Sequence, residues 1–234
     1  ALRESTYLWS IGEKQSAIDK LSAVFQQQPD SGTIAAQLIQ LLYDFGKKQQ
    51  ANDIFTFFHK MTLKADPEQP YVRYAKILIG DDNKDKAKEV LQLLPEEDYW
   101  IEPVDTAILF SRVKMDDKAH TIFYRTYSGN ESNPIYLFNF AKTKISISRK
   151  MRYRPHPQWT TIKRLENEAI DLLRRAINVS EDKTELGWCW YNLGHLYRWG
   201  KYPKSVIEEA YKSALDYCPQ ETRFQESYQK AKDR

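Results

Sequence analysis

A small residue followed four positions later by a large apolar residue recurs along this chain, and no other feature constrains its fold as strongly. Ala17 with Leu21 is the first pair, and Ala51 with Phe55 is the second. The six first positions are Ala17, Ala51, Ala87, Ala119, Ala169 and Ile207. They lie 34, 36, 32, 50 and 38 residues apart, so the fourth interval is one period of 34 with an insertion of 16. A recurring period of this length indicates a repeat protein.

The pattern also places each pair on an α-helix. Seven residues after each first position lies a third residue, which is mostly small or apolar, and positions i, i+4 and i+7 share one face of a helix. These third residues are Val24, Phe58, Leu94, Thr126, Ala176 and Ala214. A second apolar run, such as residues 34–42 or 71–79, lies upstream of the small residue, so each unit is a helical hairpin. Hairpins bury their apolar faces by stacking on each other, which predicts an all-α fold.

The last unit carries the most specific series of residues. It contains, in order, Trp190, Leu193, Gly194, Tyr197, Gly200, Tyr202, Tyr211, Ala214, Leu215 and Pro219. This series resembles the tetratricopeptide repeat (TPR), with one residue fewer before Gly200 and two more before Tyr211. The resemblance implies a right-handed α-solenoid of about six TPR-like hairpins. In such a solenoid the first helix of each hairpin lines a concave groove that commonly holds a peptide.

The period divides the chain into units. We predict units near residues 1–30, 31–67, 68–98, 99–132, 133–180 and 184–219, followed by a polar C-terminal capping helix at 220–234 with Phe224 and Tyr228 on its inner side. The insertion falls in the fifth unit, at residues 145–160. We expect Asn133 to cap the first helix of this unit, with a break at the prolines after Arg154. Thr160 or Thr161 is expected to cap the second helix.

The insertion is strongly basic. The chain has a net charge of +3, but residues 132–165 contain eight basic residues and no acidic one, so the remainder is acidic by five charges. Five cations of the insert are candidate contacts for an anionic partner: Lys144, Arg149, Lys150, Arg152 and Arg154. An acidic protein, a nucleic acid or an anionic membrane surface would attract them. The alternative is a solvated helix extension whose charges pair with the acidic remainder.

The resemblance also suggests which side chains face the groove. They are Gln37, Gln40, Tyr43, Arg73, Lys76, Asp105, Arg112, Asn139, Lys142, Asn192, His195 and Arg198. Five of them are Lys or Arg and one is Asp, so the groove is expected to be cationic. Cations bind carboxylates through charge-assisted hydrogen bonds, and Asn side chains can bind a peptide backbone. We therefore expect the partner to be an acidic or carboxylate-bearing polypeptide.

The sequence shows no motif for catalysis or metal binding. It has no glycine loop of the kind that binds phosphate, and its four histidines are far apart with no ligand at metal-binding spacing. We accordingly expect no catalytic site, no metal and no cofactor, and a scaffold rather than an enzyme. One alternative is a nucleic-acid-binding helical-repeat protein that uses residues 142–164. Another is the regulatory or adaptor segment of a larger enzyme, which a chain beginning at Ala1 would permit.

Other features bear on location and assembly. No run of 18 apolar residues is present, so no membrane-spanning segment is expected. Two cysteines without a metal or redox motif suit a reducing compartment, and we expect the cytoplasm. A periplasmic or membrane-associated location, as part of a longer chain, stays open. Self-association stays open as well, because helical arrays often pair through an uncapped end.

Overall fold

A computed structural model describes residues 2–61, 64–66, 68–94 and 102–233. These residues form 13 helices and no strand, apart from an isolated bridge between Ser31 and Ala65. The predicted all-α fold is therefore confirmed. The chain forms two compact units, unit 1 (Ala1–Met115) and unit 2 (Asp116–Arg234). None of the described helices is long and apolar enough to cross a membrane.

Unit 1 is built from consecutive helices that pack on their neighbours. Its helices are α1 (Leu2–Ser10), α2 (Lys14–Gln27), α3 (Gly32–Asp44), α4 (Lys48–Lys60), α5 (Glu68–Gly80), α6 (Lys84–Gln92) and α7 (Pro103–Arg112). Helix α1 packs on α2, α3 packs on both α4 and α5, and α5 packs on α6 and α7. The predicted unit boundaries at residue 67 and at 98–99 lie outside the described residues.

Unit 2 repeats this arrangement with longer helices. Its helices are α8 (Asp116–Arg125), α9 (Pro134–Arg152), α10 (Trp159–Val179), α11 (Lys183–Trp199), α12 (Lys204–Tyr217) and α13 (Thr222–Lys232). Helix α9 packs on α8 and α10, α11 packs on α10 and α12, and α13 packs on α12. Phe224 of α13 is fully buried, so this polar helix is attached through an apolar residue.

The recurring small residues lie in the core. Ala17, Ala51, Ala87, Ala119 and Ala169 are all 0% exposed. A methyl side chain at these positions allows the adjacent helix to approach closely. In the last hairpin the small residue is Gly194 on the partner helix, since a Cβ there would lie 2.6 Å from the ring of the buried Tyr211. The repeat found in the sequence is therefore a packing repeat.

The turns within the hairpins share a backbone feature. Each of five turns contains a residue with a positive φ, namely Gly12, Gly46, Asp82, Lys114 and Lys201. The first four precede the small residue of their hairpin by five positions. This left-handed conformation costs a side-chain-bearing residue about 1 kcal/mol or more, whereas glycine adopts it freely. Only two of these turns contain glycine, so the positive φ could not be recognised from the positions of glycine in the sequence.

The insertion lengthens two helices more than it forms a loop. Helix α9 begins as expected, with the Tyr136 amide donating to Asn133 Oδ1 at 3.1 Å, and it continues to Arg152. Helix α10 begins at Trp159, after the N-cap Gln158, whose side chain makes no capping bond. The expected cap at Thr160 or Thr161 is wrong, because the helix starts directly after Pro157.

Candidate functional site

The candidate groove residues of unit 1 lie on α3, α5 and α7. Gln37, Gln40 and Tyr43 are half-buried on α3, while Arg73 and Lys76 of α5 and Arg112 of α7 are exposed. Lys76 Nζ lies 3.7 Å from Asp105 Oδ2, so α5 and α7 bring two of the candidates together. Gln40 instead donates to Asp44 of its own helix at 2.8 Å. Within the described part of the chain, Arg73 and Arg112 have no ion-pair partner.

Tyr43 is engaged within unit 1. Its hydroxyl donates to Asp81 Oδ2 at 2.5 Å, and Lys48 binds the same oxygen while lying 4.9 Å from the Tyr43 ring centre. The hydrogen bonds from Lys48 and Tyr43 lower the pKa of Asp81. Burial, followed by the hydrogen bond to Asp81, raises the pKa of Tyr43. Asp81 therefore stays ionised, and the ammonium group of Lys48 balances its charge.

In unit 2 the predicted amides are bonded to their own helices. Asn139 Nδ2 donates to the carbonyl of Ile135 at 2.8 Å, and Asn192 Nδ2 donates to that of Trp188 at 2.7 Å. Each amide keeps its carbonyl oxygen and one N–H for a ligand. Lys142 is exposed, and its ammonium group lies 5.2 Å from the ring centre of Phe138.

His195, a unit 2 candidate, packs against aromatic rings and contacts Arg198. Its ring contacts Tyr191 at 4.6 Å and Tyr211 at 5.5 Å, and its Nδ1 lies 3.4 Å from an Arg198 amino group. Burial above all, then Arg198 and Arg149, lowers the pKa of His195 to about 4. The imidazole is therefore neutral at pH 7. Neutrality allows Nδ1 to accept a hydrogen bond from Arg198.

Arg149, on a different helix, also acts on His195. It lies on α9, close enough to His195 on α11 to lower the pKa of that residue. The sequence analysis assigned Arg149 to the insert and not to the groove. The sequence could have suggested a groove position for Arg149, because it is seven residues after Lys142 and thus on the same face of the helix. We call Arg149, His195 and Arg198 the α9–α11 cluster.

Three predicted insert cations form ion pairs within the chain. Lys144 is only 5% exposed, and its ammonium group binds Glu168 at 2.7 Å and lies 4.3 Å from the Phe140 ring centre. Lys144 is thus part of the core, which corrects the expectation of an exposed contact. The reason is that the lengthened α9 packs along α10, whose carboxylates meet its basic side chains.

The other two paired cations, Lys150 and Arg152, are more exposed than Lys144, but their carboxylate partners are buried. Lys150 binds Asp116 at 2.8 Å, and this carboxylate is 2% exposed. Arg152 binds both oxygens of the buried Glu166, at 2.7 and 2.8 Å. Pairing with acidic residues of the chain, the alternative raised by the sequence, therefore describes Lys144, Lys150 and Arg152. Arg149 and Arg154 are exposed and have no ion-pair partner among the described residues.

Unit 2 also contains a cavity that the sequence did not predict. It has a volume of about 540 Å³ and lies between α8, α9 and α10. Its lining includes His120, Tyr124, Phe140, Lys144 and Glu168. Burial, then Lys144, lowers the pKa of His120, so the imidazole is neutral and can accept from the Lys144 ammonium group 3.4 Å away. In the described part of the chain no three His, Cys, Asp or Glu residues are grouped closely enough to hold a metal ion.

Comparison with known proteins identifies the fold. No protein-family model matches the sequence, and no curated protein matches it. The crystal structure of YrrB, described as a TPR protein with an unusual peptide-binding site, matches with a TM-score of 0.64 and 10% identity, over 89% of this chain and 97% of that one.

The Cut9–Hcn1 structure, part of the APC/C, matches with a TM-score of 0.55 and 14% identity, over 97% of this chain and 41% of that one. The chain thus spans less than half of the second protein. At these identities the likeness concerns the fold alone. The chain has the fold of tetratricopeptide repeat proteins, as the residues of its last hairpin suggested.

Proposed function

We propose that the chain is a protein-interaction scaffold that binds an acidic segment of a partner polypeptide. The observation that carries this proposal is the α9–α11 cluster, in which Arg198 lies 3.4 Å from the neutral His195 and the charge of Arg149 also acts on that histidine. Neither arginine has an ion-pair partner among the described residues, and Arg198 contacts the neutral ring nitrogen of His195 at 3.4 Å. Two guanidinium groups without a carboxylate between them favour an external anion.

The surroundings of the cluster suit a peptide. Helices α9 and α11 fix the two arginines on a rigid frame, which limits the ordering that binding requires. Asn139 and Asn192 project carbonyl oxygens that can accept from a peptide backbone. The rings of Tyr191 and Trp199 flank His195, at 4.6 and 6.2 Å from its ring centre, and offer apolar contact. An acidic residue beside an apolar one would match this surface.

The solved structures add independent support. YrrB shares the fold over most of both chains and is described as having an unusual peptide-binding site. By analogy with that protein, we propose the α9–α11 cluster as the peptide site of this chain. Unit 1 offers a second cationic face through Arg73 and Arg112, although Gln40, Tyr43 and Lys76 already bond within the chain.

Fluorescence anisotropy with labelled peptides tests the proposal. The probes are 12-residue peptides rich in Asp and Glu, with free or amidated C termini, and analogues in which Asn and Gln replace the acidic residues. We expect the acidic peptides to bind and the neutral analogues to bind at least tenfold more weakly. The variant Arg149→Gln with Arg198→Gln should weaken acidic-peptide binding about tenfold or more, since each charge-assisted hydrogen bond contributes roughly 1.5–3 kcal/mol.

The matched control is Lys212→Gln, which removes an exposed cation from α12. Its affinity should stay within twofold of the parent chain. Equal binding of acidic and neutral peptides, or an unchanged affinity in the double variant, would contradict the proposal. A free C terminus that binds better than the amide would narrow the ligand to a terminal carboxylate.

A further inference from the structure

The connection between α9 and α10 exposes aromatic rings among cations. Tyr153 is 85% exposed and Trp159 is 52% exposed. Arg154 and Lys163 are exposed beside them, and neither has an ion-pair partner in the part of the chain that the structure describes. We call these four residues the aromatic tip. It shares no residue with the α9–α11 cluster.

Trp159 is exposed but held in place. The Arg152 guanidinium group lies 5.4 Å from the Trp159 ring centre and 5.7 Å from that of Trp199. The same guanidinium group binds Glu166, whose side chain is 8% exposed. A buried ion pair thus orders a solvent-exposed indole ring. An aromatic side chain fixed before binding provides contact area at a low cost in conformational entropy.

The electrostatic field at the tip is positive. Residues 132–165 contain no acidic residue, and the nearest carboxylates on α10, Glu166 and Glu168, pair with Arg152 and Lys144. Helix α10 also has no acidic residue in its first turn, and its N-cap side chain makes no bond to it. Lys163 follows in the next turn, where the helix dipole disfavours a cation. The positive charges near the start of α10 are therefore unfavourable for the helix, and an external anion would balance them.

We propose that the aromatic tip binds single-stranded nucleic acid. Bases would stack on the rings of Tyr153 and Trp159, while Arg154 and Lys163 would pair with phosphates. Stacking tolerates any base sequence, since every base has a flat face, and the phosphate contacts follow the backbone. This function goes beyond peptide binding and uses a different surface of unit 2.

Two other anionic partners fit the tip less well. An acidic peptide would engage the cations but leave the flat faces of the rings without a matching group. A membrane surface is bound by an amphipathic helix with a continuous apolar face, whereas residues 153–158 lie between α9 and α10, and only Trp159 and Lys163 of the tip are helical. Exposed rings interleaved with cations are the arrangement that stacks and neutralises a single strand.

The test measures binding of a labelled 12-nucleotide oligo(U) to the full chain by anisotropy. We expect Tyr153→Ala with Trp159→Ala to weaken binding about tenfold or more, since each stacked base contributes roughly that factor when its ring is removed. Trp159→Phe should retain most of the affinity, because the ring is kept. Arg154→Gln with Lys163→Gln should reduce the slope of log K against log salt by about 1.4, the amount for two single-strand phosphate contacts.

Controls separate stacking from charge and from a folding defect. Tyr217→Ala removes a tyrosine on α12 that is 38% exposed and should leave oligo(U) binding unchanged. Tyr153→Ala alone tests stacking at a side chain too exposed to affect folding. Equal affinity for a duplex of the same length, or insensitivity to both ring variants, would overturn the proposal. So would binding of phosphatidylserine vesicles or an acidic peptide by the tip in place of oligo(U).

The tests of the two proposals are independent. Arg149→Gln with Arg198→Gln should weaken the acidic peptides and leave oligo(U) binding within twofold, whereas the ring variants should do the reverse. If the peptide proposal fails, oligo(U) binding that depends on Trp159 still supports the aromatic tip. If the tip fails, the peptide result at the α9–α11 cluster stands.

Discussion

Units 1 and 2 place the same types of charged side chain in different environments. In unit 1 the described ion pairs, such as Lys48 with Asp81 and Lys84 with Asp82, join side chains that are at least 39% exposed. In unit 2, by contrast, Lys144, Glu166 and Asp116 are at most 8% exposed within their pairs. Exposed pairs contribute little to stability, whereas breaking a buried pair leaves a charge without its partner. The ion pairs of unit 1 therefore contribute little to its stability, whereas some ion pairs of unit 2 are needed to keep its buried charges partnered.

The largest expected difference concerns the buried pair of Arg152 with Glu166. Arg152→Ala should lower the free energy of unfolding by about 3 kcal/mol or more, because Glu166 stays buried without a partner and the contacts to Trp159 and Trp199 are lost. Lys48→Ala in unit 1 should cost less than about 1 kcal/mol. Urea denaturation measures both. A cost for Arg152→Ala no larger than that for Lys48→Ala would erase the distinction between the units.

A second, smaller effect concerns the pH dependence of unit 2. The pKa of His195, about 4, lies below the ordinary value of 6.5, so the unfolded chain takes up this proton first. The stabilisation is complete above about pH 6.5 and is lost as the pH falls towards 4. After allowance for partial exposure we expect a loss of about 2 kcal/mol. Urea denaturation at pH 7, 5.5 and 4.5 measures it, and His195→Gln should flatten the profile.

The matched variant in unit 1 is His59→Gln. Burial also lowers the pKa of His59, followed by Lys64 and Lys60. We expect a smaller change in the pH profile, because burial, the main cause of both pKa shifts, is weaker at His59 than at His195. A larger change for His59→Gln than for His195→Gln would show that unit 1, and not unit 2, contains the more pH-sensitive packing.

The smallest effect concerns the hairpin turns. Gly46 in unit 1 and Lys201 in unit 2 both have a positive φ, at 83° and 57°. Gly46→Ala should destabilise by about 1 kcal/mol, and Lys201→Gly should stabilise by a similar amount, because only glycine adopts this conformation without strain. Thermal unfolding of the two variants measures the shifts. Shifts of the same sign would show that local contacts, and not the backbone conformation, dominate at one of the turns.

Much of the fold could be predicted from local spacing. The helix that follows each turn was located from a small residue and the apolar residues after it, and the start of α9 was located from Asn133 and Pro134. The start of α10 was predicted too late, because Thr160 or Thr161 was expected to be the N-cap and the helix begins at Trp159. The candidate site was predicted less well, since Asn139 and Asn192 bind their own helices and Lys144 is buried, while the charge of Arg149 acts on His195.

The sequence by itself determined the repeat, the hairpins and the all-α class, because these follow from contacts between residues a few positions apart. Only the tertiary structure decided which cations of the insert are structural and which are exposed. Lys144 and Arg152 meet carboxylates 24 and 14 residues away on α10, whereas Arg154 meets none. A charge interacts with whatever packing brings near it, and that depends on how two helices align, which no short stretch of sequence specifies.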